Sequence, residues 1–263
     1  MPFLPKMLLS LLALCAALAR ADAAFLARPD VQRYIDEQVA AGALTRPELE
    51  AVFANVELKP NIINIMDRPS TARPWYQFRP NFYSERLMGE GVAFWQANED
   101  ALRRAEQQYH VAPEMIVAII GVETSYGGNT GSYPVLDALY TLAFFYPVSG
   151  KPDQVEREAM RGKFFRDELM QVMLLAKEEQ LDLPALKGSY AGAMGYGQFM
   201  PSSYRAYARD GDGDGRRDLF GSLDDVFASV ANYFVAHGWQ AGEPVVALAR
   251  ADEGADPFKP EGL

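Results

Sequence analysis

Glu123 stands alone in a run of apolar residues, Met115-Ile-Val-Ala-Ile-Ile-Gly-Val122. Pro113 suits the first turn of a helix, where its missing N–H costs little. Met115, Ile116, Ile119, Ile120 and Val122 make the segment apolar nearly all round, as in a helix buried in a core. Glu123 then falls in the last turn, and Gly127, Gly128 and Asn129 supply residues tolerant of the left-handed conformation that ends helices. Burial and the negative end of the helix dipole both push such a carboxyl's pKa upward. A carboxyl kept protonated near neutral pH is a general acid for a leaving group. A structural Glu bonded to a loop amide or an arginine fits this stretch equally well.

A second stretch, Gly188-Ser-Tyr-Ala-Gly-Ala-Met-Gly-Tyr-Gly-Gln-Phe-Met-Pro-Ser-Ser203, is glycine-rich and lets backbone approach a ligand closely. It is no phosphate loop, since it lacks the GKS/T ending. Tyr190, Tyr196 and Phe199 offer flat faces suited to sugar rings, and Ser189 and Gln198 offer hydrogen bonds. A tight structural turn with packed aromatics is the competing reading. The third stretch, Asp210-Gly-Asp-Gly-Asp-Gly215, places oxygen ligands at positions 1, 3 and 5 and glycine at 6, like the opening of an EF-hand loop. The Arg216 carbonyl falls at position 7. Position 12 is Gly221 where a Glu belongs, so Asp224 or Asp225 would complete a longer loop. All-oxygen donors favour calcium over zinc, against the alternative of a solvated acidic turn.

The elements that must position these residues read as mainly helical. Helices are expected over 30–41, from Leu49 behind a Thr45–Glu48 capping box, over 91–109, 135–146, 163–179 and 223–237. Residues 55–83 read as irregular, with Pro60, Pro69, Pro74 and Pro80. Pro147 to Gly162 reads as an exposed excursion, and Pro244 to Leu248 as the one candidate strand.

Composition narrows the function classes. The net charge of −10 and the absence of a basic stripe exclude a nucleic-acid binder. Only two histidines occur, His110 and His237, neither in a metal or triad motif, which leaves carboxylates to do the chemistry. Lys6, the apolar run Met7 to Ala19 and Ala21-Asp22-Ala23 read as a signal peptide over residues 1–23. The single cysteine, Cys15, lies inside that run, so no disulfide and no lipid anchor are expected in the mature chain. Nor is a permanent transmembrane helix expected after its removal.

Taken together the chain resembles the membrane-bound lytic murein transglycosylase B family. The resemblance rests on Ile119-Ile-Gly-Val-Glu-Thr124, Leu136-Asp-Ala-Leu139, Leu186-Lys-Gly-Ser189, Ala191 to Tyr204, Ser229-Val-Ala-Asn-Tyr-Phe234 and Ala236-His-Gly-Trp239. It implies a lysozyme-like helical core over 109–240 with an EF-hand-type calcium loop over 210–225. An additional helical domain would cover 24–108, and 241–263 would be a truncated C-terminal segment. It implies a periplasmic enzyme acting on peptidoglycan glycan strands, with Glu123 as its single acid/base and a 1,6-anhydromuramic acid product. The alternatives are a lysozyme-like hydrolase, or an inactive peptidoglycan-binding protein lacking a C-terminal cleft wall. By the same resemblance Ser189, Gln198, Tyr233 and Arg161 contact substrate, and a family tyrosine is replaced by Phe164. Asp210, Asp212, Asp214, the Arg216 carbonyl and Asp225 would hold a structural calcium, with no catalytic cofactor. Helix phase through Ser229 to Tyr233 favours Asp225 over Asp224.

Overall fold

The computed structural model describes residues 25–67 and 74–246. The segment read as a signal peptide, Pro69 and most of the C-terminal segment lie outside the described residues. Helix α1 (Pro29–Ala40) buries Val31, Tyr34 and Ile35 at helical spacing. Helix α2 (Arg46–Phe53) starts with the expected capping box, Thr45 and Glu48 bonding each other's backbone reciprocally. Helix α3 (Pro60–Asp67) forms where irregular chain was expected. Pro60 is its first residue, a position where proline starts a helix rather than breaking one, and Ile62 is buried. A single turn, α4 (Trp75–Phe78), follows.

The single helix expected over 91–109 is two, α5 (Glu85–Ala97) and α6 (Glu99–Tyr109). Ser84 caps α5 by accepting the Leu87 N–H at 3.1 Å. Asn98 interrupts the pair at φ −123°, ψ 20°, and its amide donates back to the Phe94 carbonyl at 2.7 Å. Such local side-chain bonding is how asparagine competes with helix continuation. Helices α7 (Pro113–Thr124) and α8 (Val135–Phe145) come next, and every residue of α8 from Val135 to Ala143 is buried. Helix α9 (Val155–Glu178) starts at Val155, inside the stretch read as an excursion. Helices α10 (Pro201–Tyr207) and α11 (Leu223–Ala236) are the last among the described residues. The described sheet is a pair of two-residue antiparallel strands, β1 (Tyr133–Pro134) and β2 (Lys187–Gly188). Residues 244–246 form no strand, and 247–248 lie outside the described residues.

Helix α8 is the hub. It packs along α9 on one side and α3 on another. An aromatic cluster of Tyr34, Phe53, Tyr140 and Phe144 joins α1 and α2 to it. The fully buried Phe53 side chain contributes about 1.5–3 kcal/mol by leaving water. Helix α11 packs on α6, α7 and α10 and fixes the far wall of the site described next.

Candidate active site

Helix α7 buries Ile116, Val117, Ile120, Gly121 and Thr124. Its opposite face is open: Val122 is 48% exposed, and Ala118 and Glu123 are exposed as well. The helix is therefore buried on one side only, not all round as its composition suggested. Its end also differs from expectation, because Ser125 (φ 50°) and Tyr126 (φ 60°) take the left-handed conformation before Gly127 does. Packing accounts for this. The Tyr126 ring sits where Cβ atoms on Gly91 and Gly121 would lie only 2.4 and 2.6 Å from its hydroxyl. Two close helix approaches thus hold a turn that its residues alone disfavour.

Thr124, fully buried, ties this end to the glycine-rich stretch. Its hydroxyl lies 2.9 Å from the Tyr196 carbonyl and 3.1 Å from the Ile120 carbonyl, and it accepts the Gly127 N–H at 3.0 Å. Sequence reasoning missed Thr124, although a hydroxyl beside the one carboxyl in the last turn of an apolar helix was visible. Glu123 itself has no hydrogen-bond or ionic partner among the described residues. Its side chain reaches solvent at the cleft mouth, yet the protein packed around it raises its pKa above the usual carboxylate range by desolvation.

Glu123 faces a cleft of about 570 Å³. Ile119 and Glu123 form one side, the Gly197–Met200 segment and Ser203 the floor, and Tyr233, Phe234, His237 and Trp239 the far wall. The floor is a tight hairpin in which Met194 and Phe199 exchange backbone bonds of 2.9 and 3.0 Å. Gly195 turns it at φ 70°, against the Leu219 carbonyl, which also accepts the Tyr196 N–H at 3.1 Å. Gln198 is held at φ 48°, a strained conformation for a non-glycine residue. Its amide nitrogen donates to the carbonyls of Thr130 (3.1 Å) and Gly195 (2.9 Å), so the amide oxygen is the polar atom left for a ligand.

The far wall is set by how α11 ends. Gly238 at φ 89° closes it, the Trp239 N–H reaches the Phe234 carbonyl at 3.0 Å, and the two rings meet edge-on at 5.5 Å. This is the glycine-terminated cap with its usual hydrophobic contact. It presents His237 and Trp239 to the cleft, a role the His-Gly-Trp sequence could have signalled. Tyr233 is 39% exposed, braced by Phe199, Tyr207 and His237.

Gln198 and Tyr233 therefore line the Glu123 cleft, whereas Ser189 and Arg161 are not among its lining residues. The Ser189 hydroxyl accepts the N–H groups of Ala191 (3.3 Å) and Ala193 (3.1 Å) and so orders the turn beneath the hairpin. The Arg161 guanidinium lies 5.0 Å from the ring centres of both Phe164 and Phe165.

The carboxylates of Asp210, Asp212 and Asp214 bring ligand atoms within 4.8 Å of one another. Asp225 is 1% exposed and accepts the N–H groups of Gly211 (2.7 Å) and Asp218 (2.6 Å). Asp224 instead turns outward to Arg104 at 2.5 Å. Burial raises the Asp225 pKa, opposed by those two backbone bonds. Asp210, Asp212, Asp214 and Asp225 form no ion pair among the described residues. The converging oxygen donors of Asp210, Asp212 and Asp214, without a countercharge, fit calcium, and Arg216 continues the same loop.

Residues 27–261 match the family described as Transglycosylase SLT domain. The chain is 41% identical over 249 residues to membrane-bound lytic murein transglycosylase B of Escherichia coli (strain K12), an alignment covering 91% of this chain and 64% of that protein. The chain thus spans a little under two thirds of that curated relative. The fold is similar to that of soluble lytic transglycosylase SltB1 from Pseudomonas aeruginosa, with a TM-score of 0.74 at 45% identity over 82% of this chain and 69% of that one. It is similar too to the Escherichia coli lytic transglycosylase Slt35 in complex with calcium, with a TM-score of 0.73 at 42% identity over 84% and 67% of the two chains. With its fold similar to those of these enzymes and the family match running over residues 27–261, the chain belongs to the Transglycosylase SLT domain family.

Proposed function

We propose that this chain cleaves the β-1,4 bond between N-acetylmuramic acid and N-acetylglucosamine in peptidoglycan, leaving a 1,6-anhydromuramic acid end. The observation that carries the reading is Glu123 as the one carboxyl lining the cleft, unpartnered and with its pKa raised. Protonated Glu123 gives its proton to the glycosidic oxygen as the C1–O bond breaks, and the substrate's own N-acetyl oxygen supports C1. The resulting carboxylate takes the proton of the muramic C6 hydroxyl, whose oxygen closes onto C1. Water is not consumed, and Glu123 ends protonated as it began. Ordinary glycosidases need a second carboxyl about 5–9.5 Å away, and the cleft lining offers none.

Gln198 and Tyr233 are assigned to sugar contact, the first through its amide oxygen and the second through its exposed ring. Ser189 acts beneath them by ordering the turn, and Arg161 is assigned to the rim. The core over 109–240 carries the cleft, 24–108 forms the added helical part, and Asp210, Asp212, Asp214, Asp225 and the Arg216 carbonyl hold a structural calcium. The N-terminal segment would export the protein to the periplasm. Among the described residues no helix is long and apolar enough to cross a membrane.

Mass spectrometry of sacculi digested by the purified chain tests this, with anhydro-ended products expected. Reducing-end products would instead establish hydrolysis. Sacculus pull-down without any product, unchanged in Glu123→Gln, would establish a binding protein.

A further inference from the structure

The far wall holds one titratable side chain that the proposed chemistry leaves unused, His237. It caps α11, is exposed, and lines the same cleft as Glu123. Its Nδ1 lies 2.7 Å from the Tyr233 carbonyl oxygen. A carbonyl can only accept, so Nδ1 carries the hydrogen, and in the neutral ring Nε2 is then a lone-pair acceptor. Nε2 has no partner among the described residues. The ring is also held in place, stacked on Tyr233 at 4.0 Å and 23° and edge-on to Tyr207 at 5.1 Å.

The neighbouring polar atoms define the matching ligand. Gln198 presents only its amide oxygen, because its nitrogen is committed to two carbonyls. The Trp239 ring N–H is committed to the His110 carbonyl at 2.8 Å. Apart from protonated Glu123 and the Ser203 and Tyr233 hydroxyls, the side chains lining the cleft offer only acceptors as polar atoms. Its complement is a ring with an apolar face and outward N–H or O–H donors, which is the chemistry of an N-acetylated amino sugar.

We infer that His237 recognises the glycan directly, Nε2 accepting a hydrogen bond from an N–H or O–H donor of the sugar that packs on Tyr233. The inference rests on the peptidoglycan reading of the cleft and adds a recognition residue to it. Its test is calorimetric titration of tetra-N-acetylchitotetraose into the Glu123→Gln protein, with and without His237→Phe. Phenylalanine keeps a ring against Tyr233 and removes the acceptor. Loss of one hydrogen bond weakens Kd by about threefold to tenfold, and that is the expected result, with His237→Ala weaker still. In the Glu123 protein His237→Phe should raise KM more than it lowers kcat. An unchanged Kd in His237→Phe overturns the inference, since a purely packing role is rescued by the ring. Absence of chitotetraose binding to Glu123→Gln overturns it as well. If sacculi yield no anhydro product while His237→Phe still weakens chitotetraose binding, cleavage fails and recognition stands.

Discussion

Thr124→Val isolates the junction that sets Glu123 against the glycine-rich hairpin. Valine has nearly the same shape, so the substitution removes a hydroxyl and leaves no cavity. Two groups then lose a partner, the Gly127 N–H at 3.0 Å and the Tyr196 carbonyl at 2.9 Å. The Ile120 carbonyl keeps the Tyr126 N–H at 3.3 Å. An orphaned, largely buried polar group costs about 1–3 kcal/mol. The pair together should therefore cost about 2–4 kcal/mol, since partial solvent access at the turn trims the upper end. For a domain of this size about 2–4 °C of Tm accompanies each kcal/mol, so a fall of roughly 5–15 °C is expected. Thermal unfolding followed by circular dichroism measures it, with Thr124→Ser, which keeps the hydroxyl, as the control expected to recover most of the loss. Release of soluble products from sacculi, measured well below both melting temperatures, should fall by about tenfold or more, because a shift near 1 Å at a reacting group costs on the order of a hundredfold. A Thr124→Val protein melting within about 1 °C of wild type, where the orphaned pair should cost several degrees, would falsify the junction.

Four further outcomes follow from the same geometry. Glu123→Gln should abolish anhydro-product release while retaining sacculus binding. Because burial raises the Glu123 pKa, the native state holds that proton more tightly than the unfolded chain does. Wild type should thus match the Gln variant in Tm at acidic pH and fall behind it as pH rises through the raised pKa; a gap that opens toward acid instead would reverse the sign. Calcium at about 100 times its Kd should stabilise the fold by about 2.7 kcal/mol, a Tm rise of roughly 5–10 °C. Asp225→Asn should remove that rise, and a chelator without effect on wild-type Tm would count against the site. Gly127→Ala places a Cβ 2.1 Å from the Tyr196 ring at φ 87°, so it should destabilise by several times the ~1 kcal/mol of an ordinary substitution; near-neutral melting would refute the close approach.

Much of this was legible in the chain because the deciding contacts are local. The Thr45–Glu48 capping box, the helix over 135–146 and the Asp210–Gly215 turn are written within a few neighbouring residues. What escaped depends on distant partners or on solvent. The first turns of α9 carry Glu156 and Arg157 on exposed surface, so no apolar period marks them. The left-handed Ser125 and Tyr126 are imposed by Gly91, on another helix. Asn98 stops α5 through one side-chain bond that periodicity does not register. Within the site, Glu123, Gln198 and Tyr233 were found as residue types in a resembling pattern. The roles of Thr124, His237 and Trp239 depend on partners distant in sequence or on backbone carbonyls: Tyr196, the Tyr233 carbonyl and His110.

The acidic loop and the acid are joined by very few bonds. The Asp225 carboxylate holds the Asp218 N–H, the Leu219 carbonyl holds Tyr196, and the Tyr196 carbonyl meets Thr124, next to Glu123. Coupling between two binding sites is reciprocal. A cation that tightens glycan binding by some factor must itself be held tighter by that factor when glycan is bound. On the proposed function, such coupling would make the chain grip its ion hardest while engaged on a wall polymer and leave it most open to losing the ion between strands.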